Sequence, residues 1–219
     1  MALYLVAVPI GDPKDLTLRG LECLTQCPII ILEERKEGSR ILREQGLTGK
    51  QYFELNEHSS KEDLQELVQL CAKNEVALIT DAGTPGFCDP GADLVNLCRK
   101  QNIRIQSLPG ASSLMLLLSL SSCRIDQFIF RGFLPAENET REKAWLEIRR
   151  EPRAIVLMDT PYRLQKMVLE ISLHFPERKI LLGTDFTQPG EVVWEGLGKD
   201  LVKVVLPKKA EFMILVYAK

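Results

Sequence analysis

Three short runs concentrate glycine, proline and small polar residues just behind apolar stretches. They are Pro9-Ile10-Gly11, Asp81-Ala82-Gly83-Thr84-Pro85 and Pro109-Gly110-Ala111-Ser112. Glycine lets a backbone approach a ligand closely, and proline holds a loop in one conformation. Any one of these runs reads first as a tight turn. Three of them, each behind a predicted strand, point to one shared small-molecule crevice, because open α/β sheets bind ligands outside the carboxyl ends of their strands. Neither G-x-G-x-x-G nor the P-loop pattern occurs, so phosphate-cradling cofactors lose their usual support. Loops rich in backbone groups and poor in fixed charge suit a zwitterionic amino-acid tail joined to a nucleoside.

Groups able to move a proton lie apart from these loops. Glu33, Glu34 and His58 are the candidates, although the run Glu33-Glu34-Arg35-Lys36-Glu37 reads more readily as a solvated face and His58 sits in a polar loop. Asp81 serves equally well as a turn residue or as part of the crevice. His174, inside the amphipathic stretch Leu169 to Phe175, reads as structural. The six cysteines stand in largely apolar stretches with no C-x-x-C pair, and two histidines cannot complete a zinc-like set. The cysteines therefore read as reduced, buried small hydrophobes, and no metal is expected.

The chain has 219 residues, 45% hydrophobic and 26% charged, enough for two small domains with full cores. No apolar run reaches the length a membrane helix needs, and the opening MALYLVAVPIG reads as a first strand rather than a leader. A cytoplasmic protein without a membrane partner is the expectation. A formal net charge of −2 argues against simple tracking of phosphates.

Placing the candidate residues requires an ordered set of elements. Leu3 to Val8, Ile29 to Leu32, Tyr52 to Leu55, Val76 to Ile79 and Ile103 to Leu108 read as buried strands. They alternate with helices near Leu18 to Leu24, Ser39 to Gln45, after Ser59-Ser60, and around Leu94 to Cys98. That alternation predicts a parallel sheet with right-handed crossovers. Beyond the apolar helix Leu114 to Leu120, strands are expected at Phe128 to Phe130, Ala154 to Met158, Lys179 to Gly183, Glu191 to Trp194 and Phe212 to Tyr217, with a helix over Ala136 to Arg149. The last strands follow one another with little helix between, so this half should be a mixed sheet. The expected α/β fold thus has an N-terminal domain over residues 1–114 and a C-terminal domain over 115–219.

The loops also resemble a known family. LYLVAVPIGDPKDLTLR, ALITDAGTPGFCDPG, LPGASS, FRGFLPA, MDTPYRL, DFTQPGE and KAEFMILV resemble, in order, the blocks of the tetrapyrrole methylase superfamily, most closely its bacterial 16S ribosomal RNA 2′-O-ribose methyltransferase branch. The resemblance runs from about residue 3 to residue 218. It implies the two-domain class III methyltransferase fold, with S-adenosyl-L-methionine in a cleft between the domains. Pro9 and Gly11 would border the cofactor. Asp81, Ala82, Gly83, Thr84 and Pro85 would wrap its methionine portion, and Ser112 and Ser113 would lie near the sulfonium. Met158, Thr160, Phe186 and Thr187 would enclose the adenosine, with Ala210 and Glu211 closing the far side. A homodimer is implied as well.

The departures fall on the acceptor side. Where the branch commonly reads EDTR, this chain has Glu33-Glu34-Arg35-Lys36, with Glu37 where a histidine is common; of the HxHNE-like segment only His58 persists. Thr184 and Gln188 stand where the branch carries cations. Phosphate contacts supply most nucleic-acid affinity, so these changes weaken the case for an RNA partner without touching the cofactor blocks. The expected activity is methyl transfer to a ribose hydroxyl of ribosomal RNA, with Glu34 or His58 assisting proton removal. A tetrapyrrole, another small molecule or a protein side chain as acceptor, and a cofactor-binding protein without catalysis, remain open alternatives.

Overall fold

A computed structural model describes all residues, 1–219, and the chain divides into two compact units, Met1–Ser112 and Ser113–Lys219. In the first unit the chain runs β1 (Ala2–Val6), α1 (Leu18–Gln26), β2 (Ile29–Leu32), α2 (Arg35–Glu44), β3 (Gln51–Glu54), α3 (Lys61–Lys73), β4 (Glu75–Leu78), α4 (Ala92–Lys100) and β5 (Arg104–Leu108). The five strands are parallel and lie in the order β3-β2-β4-β1-β5. Because side chains alternate across a strand, the unbroken apolar run of β2 supplies both faces at once. Ile30 and Leu32 pack with Leu24, Ile41 and Leu42, whereas Ile29 and Ile31 pack with Leu67, Val68, Cys71, Leu94 and Cys98. Helices α1 and α2 therefore cover one face, and α3 and α4 the other.

Strand order decides where a ligand fits. From β1 the chain crosses by α1 to β2, and from β4 it crosses by α4 to β5 on the opposite side. The direction of winding reverses between the neighbours β1 and β4, and their carboxyl ends frame the crevice such a reversal opens. Helix starts follow local chemistry. Thr17 caps α1 by accepting from the Gly20 amide, and Ser60 with Asp63 forms a reciprocal capping box on α3.

The second unit contains α5 (Ser113–Ser119), β6 (Phe128–Gly132), α6 (Asn138–Ile148), β7 (Ala154–Met158), α7 (Leu164–His174), β8 (Lys179–Thr184), β9 (Val192–Leu197) and β10 (Phe212–Val216). Its sheet is mixed, in the order β6-β7-β10-β8-β9, with β6 and β7 parallel and the remaining pairs antiparallel. Strands β7 and β10 are almost wholly buried, over a core built on Trp145, Met167 and Ile171.

Three expectations change. Helix α2 begins at Arg35, not Ser39, because its first turn is charged and exposed and so shows no apolar periodicity. Helix α7 begins at Leu164 and buries Leu164, Met167, Val168 and Ile171, a stripe longer than the predicted stretch. Two of the cysteines, Cys88 and Cys123, are exposed, since both fall in loops and not on the apolar elements beside them. Residue His174 is structural as expected, its ring stacked on Trp145 at a centroid distance of 4.7 Å.

Candidate functional site

The N-terminal loops meet at a single residue. Gly83 bridges to Val8 through two backbone hydrogen bonds, its carbonyl accepting from the Val8 amide at 2.8 Å and its own amide donating to the Val8 carbonyl at 3.1 Å. Its φ of +75° lies in the left-handed region that favours glycine. A Cβ there would touch Ile10 at 3.4 Å and approach the Ala111 carbonyl at 3.8 Å. The Thr84 hydroxyl donates to that carbonyl at 3.1 Å, tying the second loop to the third. The structure thus gathers the Pro9–Gly11 loop, the Asp81–Pro85 loop and Ala111-Ser112 at the reversal between β1 and β4. Gly110 sits against Ala7 so closely that an added Cβ would lie 2.7 Å from the Ala7 methyl.

Beside these loops, the ends of β2, β3 and β4 open a cavity of about 660 Å³, lined by Glu33, Glu34, Leu55, His58, Asp89 and Leu94 among others. The Asp81 amide donates to the Glu33 carboxylate at 3.3 Å, and the Glu34 amide donates to the Asp81 carboxylate at 3.2 Å. Burial pushes the Glu33 carboxyl above its usual range against the bond from Asp81, with Asp89 and Glu34 adding repulsion. Burial also raises Asp81, again helped by Glu33 and Glu34, and raises Asp89 against a hydrogen bond with Thr80. Three carboxyls thus hold their protons more tightly than free ones. Of the expected proton-moving residues, Glu34 is exposed but lines the cavity, and the His58 side chain is 85% exposed with its ring 3.6 Å from Glu57. Residue Glu33 is only half-exposed, so the charge run is not simply a solvated face. The contribution of Asp89 went unread, because Asp-Pro-Gly looks like nothing more than a helix entrance.

In the C-terminal unit, register alone brings three further loops together. Met158 pairs with Met213, and Phe212 pairs with Thr184, so the ends of β7 and β8 and the start of β10 lie in one row. Met158 and Thr160, Phe186 and Thr187, and Ala210 and Glu211 lie at or next to the strand ends of that row. Asp185 joins two of the loops: its amide donates to the Glu211 carbonyl at 2.8 Å and its carboxylate accepts from the Glu211 amide at 3.0 Å. Asp185 and Thr187 adopt positive φ values of 46° and 63°, strained backbone of a kind that recurs at ligand sites. Phe186 is buried, its ring packed on Gly183. Thr184 is fully buried, and its hydroxyl has no hydrogen-bond partner. Ser112 closes the first unit and Ser113 opens α5.

Each unit by itself offers groups that suit one portion of a cofactor made of an amino acid and a nucleoside. The N-terminal loops offer backbone groups, a hydroxyl and a carboxylate, and the C-terminal row combines apolar Met158, Phe186 and Ala210 with polar Thr160 and Glu211. No group of three or more histidine, cysteine, aspartate or glutamate side chains is arranged to hold a metal ion. No helix is long and apolar enough to cross a membrane.

Comparison with known proteins agrees with this chemistry. Residues 2–202 match the family model of tetrapyrrole (corrin/porphyrin) methylases. The chain is 34% identical over 197 residues to ribosomal RNA small subunit methyltransferase I of Synechocystis, an alignment covering 89% of this chain and 70% of that protein. Among solved structures, diphthine synthase superposes with a TM-score of 0.75 at 16% identity, covering 99% of this chain and 90% of that one. The uroporphyrin-III C-methyltransferase from Thermus thermophilus, complexed with S-adenosylhomocysteine, superposes with a TM-score of 0.65 at 18% identity, covering 99% and 97%.

Proposed function

The chain belongs to the tetrapyrrole methylase family and is an S-adenosylmethionine-dependent methyltransferase, and from that premise we propose that it methylates a ribose 2′-hydroxyl of small-subunit ribosomal RNA. The single observation carrying the cofactor site is the convergence of three loops on Gly83 at the reversal of strand winding. The likeness to small-subunit ribosomal RNA methyltransferases supports the acceptor. Pro9, Gly11, Asp81 to Pro85, Ser112 and Ser113 would hold the methionine portion. Met158, Thr160, Phe186, Thr187, Ala210 and Glu211 would hold the adenosine.

When bound, the cofactor supplies a methyl group already activated by its sulfonium, so the protein's task is to bring an acceptor oxygen into line and dispose of its proton. The acceptor hydroxyl would have to give up its proton to a group of this chain as it is methylated. Glu33 suits that task best. Its carboxyl is half-buried in the cavity wall, is held by the Asp81 amide, and has a raised proton affinity. Glu34 and His58, at the exposed rim of the cavity, would contact the acceptor or relay the proton to solvent. We place the protein in the cytoplasm, acting as a homodimer, in line with its family.

The test is transfer of a tritiated methyl group to RNA, protein and small-molecule fractions, followed by nuclease mapping of any labelled RNA. Label confined to small-subunit ribosomal RNA at a ribose is the expected result; label in another fraction overturns the acceptor. Glu33→Gln should slow single-turnover transfer by about 10²-fold, the low end for general base catalysis. An unchanged rate removes Glu33 from the proton path.

A further inference from the structure

Beneath the C-terminal row of loops lies a buried set of ions. The Arg141 side chain, on α6, is 2% exposed, yet each of its donors is used. Nε donates to Glu170 of α7 at 2.8 Å. Nη1 donates to Asp159 at 3.0 Å and to the Pro135 carbonyl at 3.1 Å, and Nη2 donates to Glu170 at 2.7 Å and reaches the Met167 sulfur at 2.9 Å. One guanidinium therefore joins α6, α7, the connection before α6 and the end of β7. Asp159, fully buried between Met158 and Thr160, uses its two oxygens differently. One takes Arg141; the other accepts from Arg163 at 3.1 Å and from the Thr160 amide at 2.8 Å. Two cations and two carboxylates balance, and Lys166 adds a longer contact of 3.8 Å to Glu170.

Stability alone is a poor reason to bury such a set. Well-packed apolar side chains of similar volume usually serve as well or better, because desolvating ions offsets their attraction. What an apolar core could not do is clamp a backbone segment by its own carboxylate. Arg141 fixes one oxygen of Asp159 from the interior, Arg163 fixes the other from the edge, and that second oxygen holds the Thr160 amide. Pro161 follows at once, and the Arg163 amide returns to the Thr160 carbonyl at 2.8 Å. The Met158–Thr160 backbone is thus set by ions that lie behind it.

We propose that Arg141, Asp159 and Arg163 are positioning residues for the cofactor, a buried ion relay that presets the 158–160 loop to receive the adenosine. The proposal rests on the reading that Met158 and Thr160 border the cofactor. Preorganising a loop cuts the ordering cost of binding, so its loss should appear as weaker cofactor affinity and not as slower chemistry.

The full chain tests this with S-adenosylhomocysteine as calorimetric probe and with steady-state methyl transfer. Arg163 is part-exposed, so Arg163→Gln should fold; Asp159→Asn, of equal volume, is the second variant. Each should raise Kd and the KM for S-adenosylmethionine about tenfold, with kcat at saturating cofactor held within about twofold. Arg163→Lys, which keeps the cation, should recover most of the affinity. Met158→Ala separates the two layers of the argument. If Met158→Ala weakens binding but Arg163→Gln and Asp159→Asn do not, the relay is overturned while the site stands. If none of the variants alters affinity, or the wild-type protein does not bind the probe, the site reading fails and the relay with it. A fall in kcat at unchanged KM likewise overturns the positioning role.

Discussion

The two units fasten their loops by different means. In the N-terminal unit the loops are fixed to one another by backbone hydrogen bonds at Val8 and Gly83, by the Thr84 hydroxyl, and by a glycine wedged on Ala7. In the C-terminal unit they are fixed by charges: Asp159 between two arginines, and Asp185 on the Glu211 amide. The acids differ accordingly. Glu33, Asp81 and Asp89 are half-buried, unmatched by cations and raised in proton affinity, whereas Asp159 and Glu170 are held by arginine. The N-terminal crevice keeps these three carboxyls without a cation. The buried layer beneath the C-terminal loops pairs Asp159 and Glu170 with arginine.

The sharpest way to break this contrast is to take one charge out of the C-terminal wall. Arg141→Met leaves Asp159 and Glu170 buried without their shared partner. That should cost about 3–5 kcal/mol of stability in this unit, read from urea unfolding monitored at Trp145 and Trp194. A loss below about 1 kcal/mol would mean that water or Arg163 already compensates the acids. In the N-terminal unit no single ion carries comparable weight. Its most damaging small change should be steric: Gly110→Ala would bring a Cβ to 2.7 Å from the Ala7 methyl, a group with no rotamer to give way. Overpacking of this kind costs about 1–3 kcal/mol, and displacement of the Ala111 carbonyl should weaken S-adenosylhomocysteine binding as well.

That difference also explains what could be read from the sequence. The N-terminal unit announced itself because its fixing devices are local: apolar runs such as Ile29 to Leu32, followed by Gly and Pro at strand ends. Five strands and three loops could be placed from that pattern alone, and the mixed C-terminal sheet followed from closely spaced late strands. The clustering of Met158, Phe186 and Ala210 did not follow from spacing, since it depends on antiparallel register across β10. Arg141 and Glu170 were silent for a similar reason. On charged helix surfaces a buried arginine looks like any other, and the acids that Arg141 pairs, Asp159 and Glu170, are 18 and 29 residues distant in the chain. Asp89 was hidden by its turn-like neighbours Pro90 and Gly91.

A smaller test uses a second paired acid of the C-terminal unit. Burial works to raise Glu195, but hydrogen bonds from Tyr217, Lys179 and Ser122 outweigh it and bring the carboxyl down to about 2. A depressed folded-state pKa means that the charged form favours folding. The contribution is present above the ordinary carboxylate range and lost as pH falls through it toward about 2. Glu195→Gln should therefore cost about 1–2 kcal/mol near neutral pH, as for hydrogen bonds to a charged group. The difference from wild type should shrink in acid. A pH-independent difference would mean that the glutamine loses packing, not charge.

The smallest effect should carry the opposite sign. Asp89 is raised by burial and by Asp81, so its folded-state proton affinity exceeds that of the unfolded chain. The sign then reverses: its contribution is fully present below the ordinary aspartate range and declines as pH rises through the raised folded value. Asp89→Asn, which keeps the shape but discards the charge, should stabilise the N-terminal unit at pH 7 by no more than about 1 kcal/mol. The gain should fade as pH falls through the ordinary aspartate range and vanish beneath it, where both forms are neutral. Urea unfolding of the pair across that range reads the outcome directly. A loss of stability at neutral pH would show Asp89 to be a matched acid, and the two units would then fasten their carboxylates by the same rule.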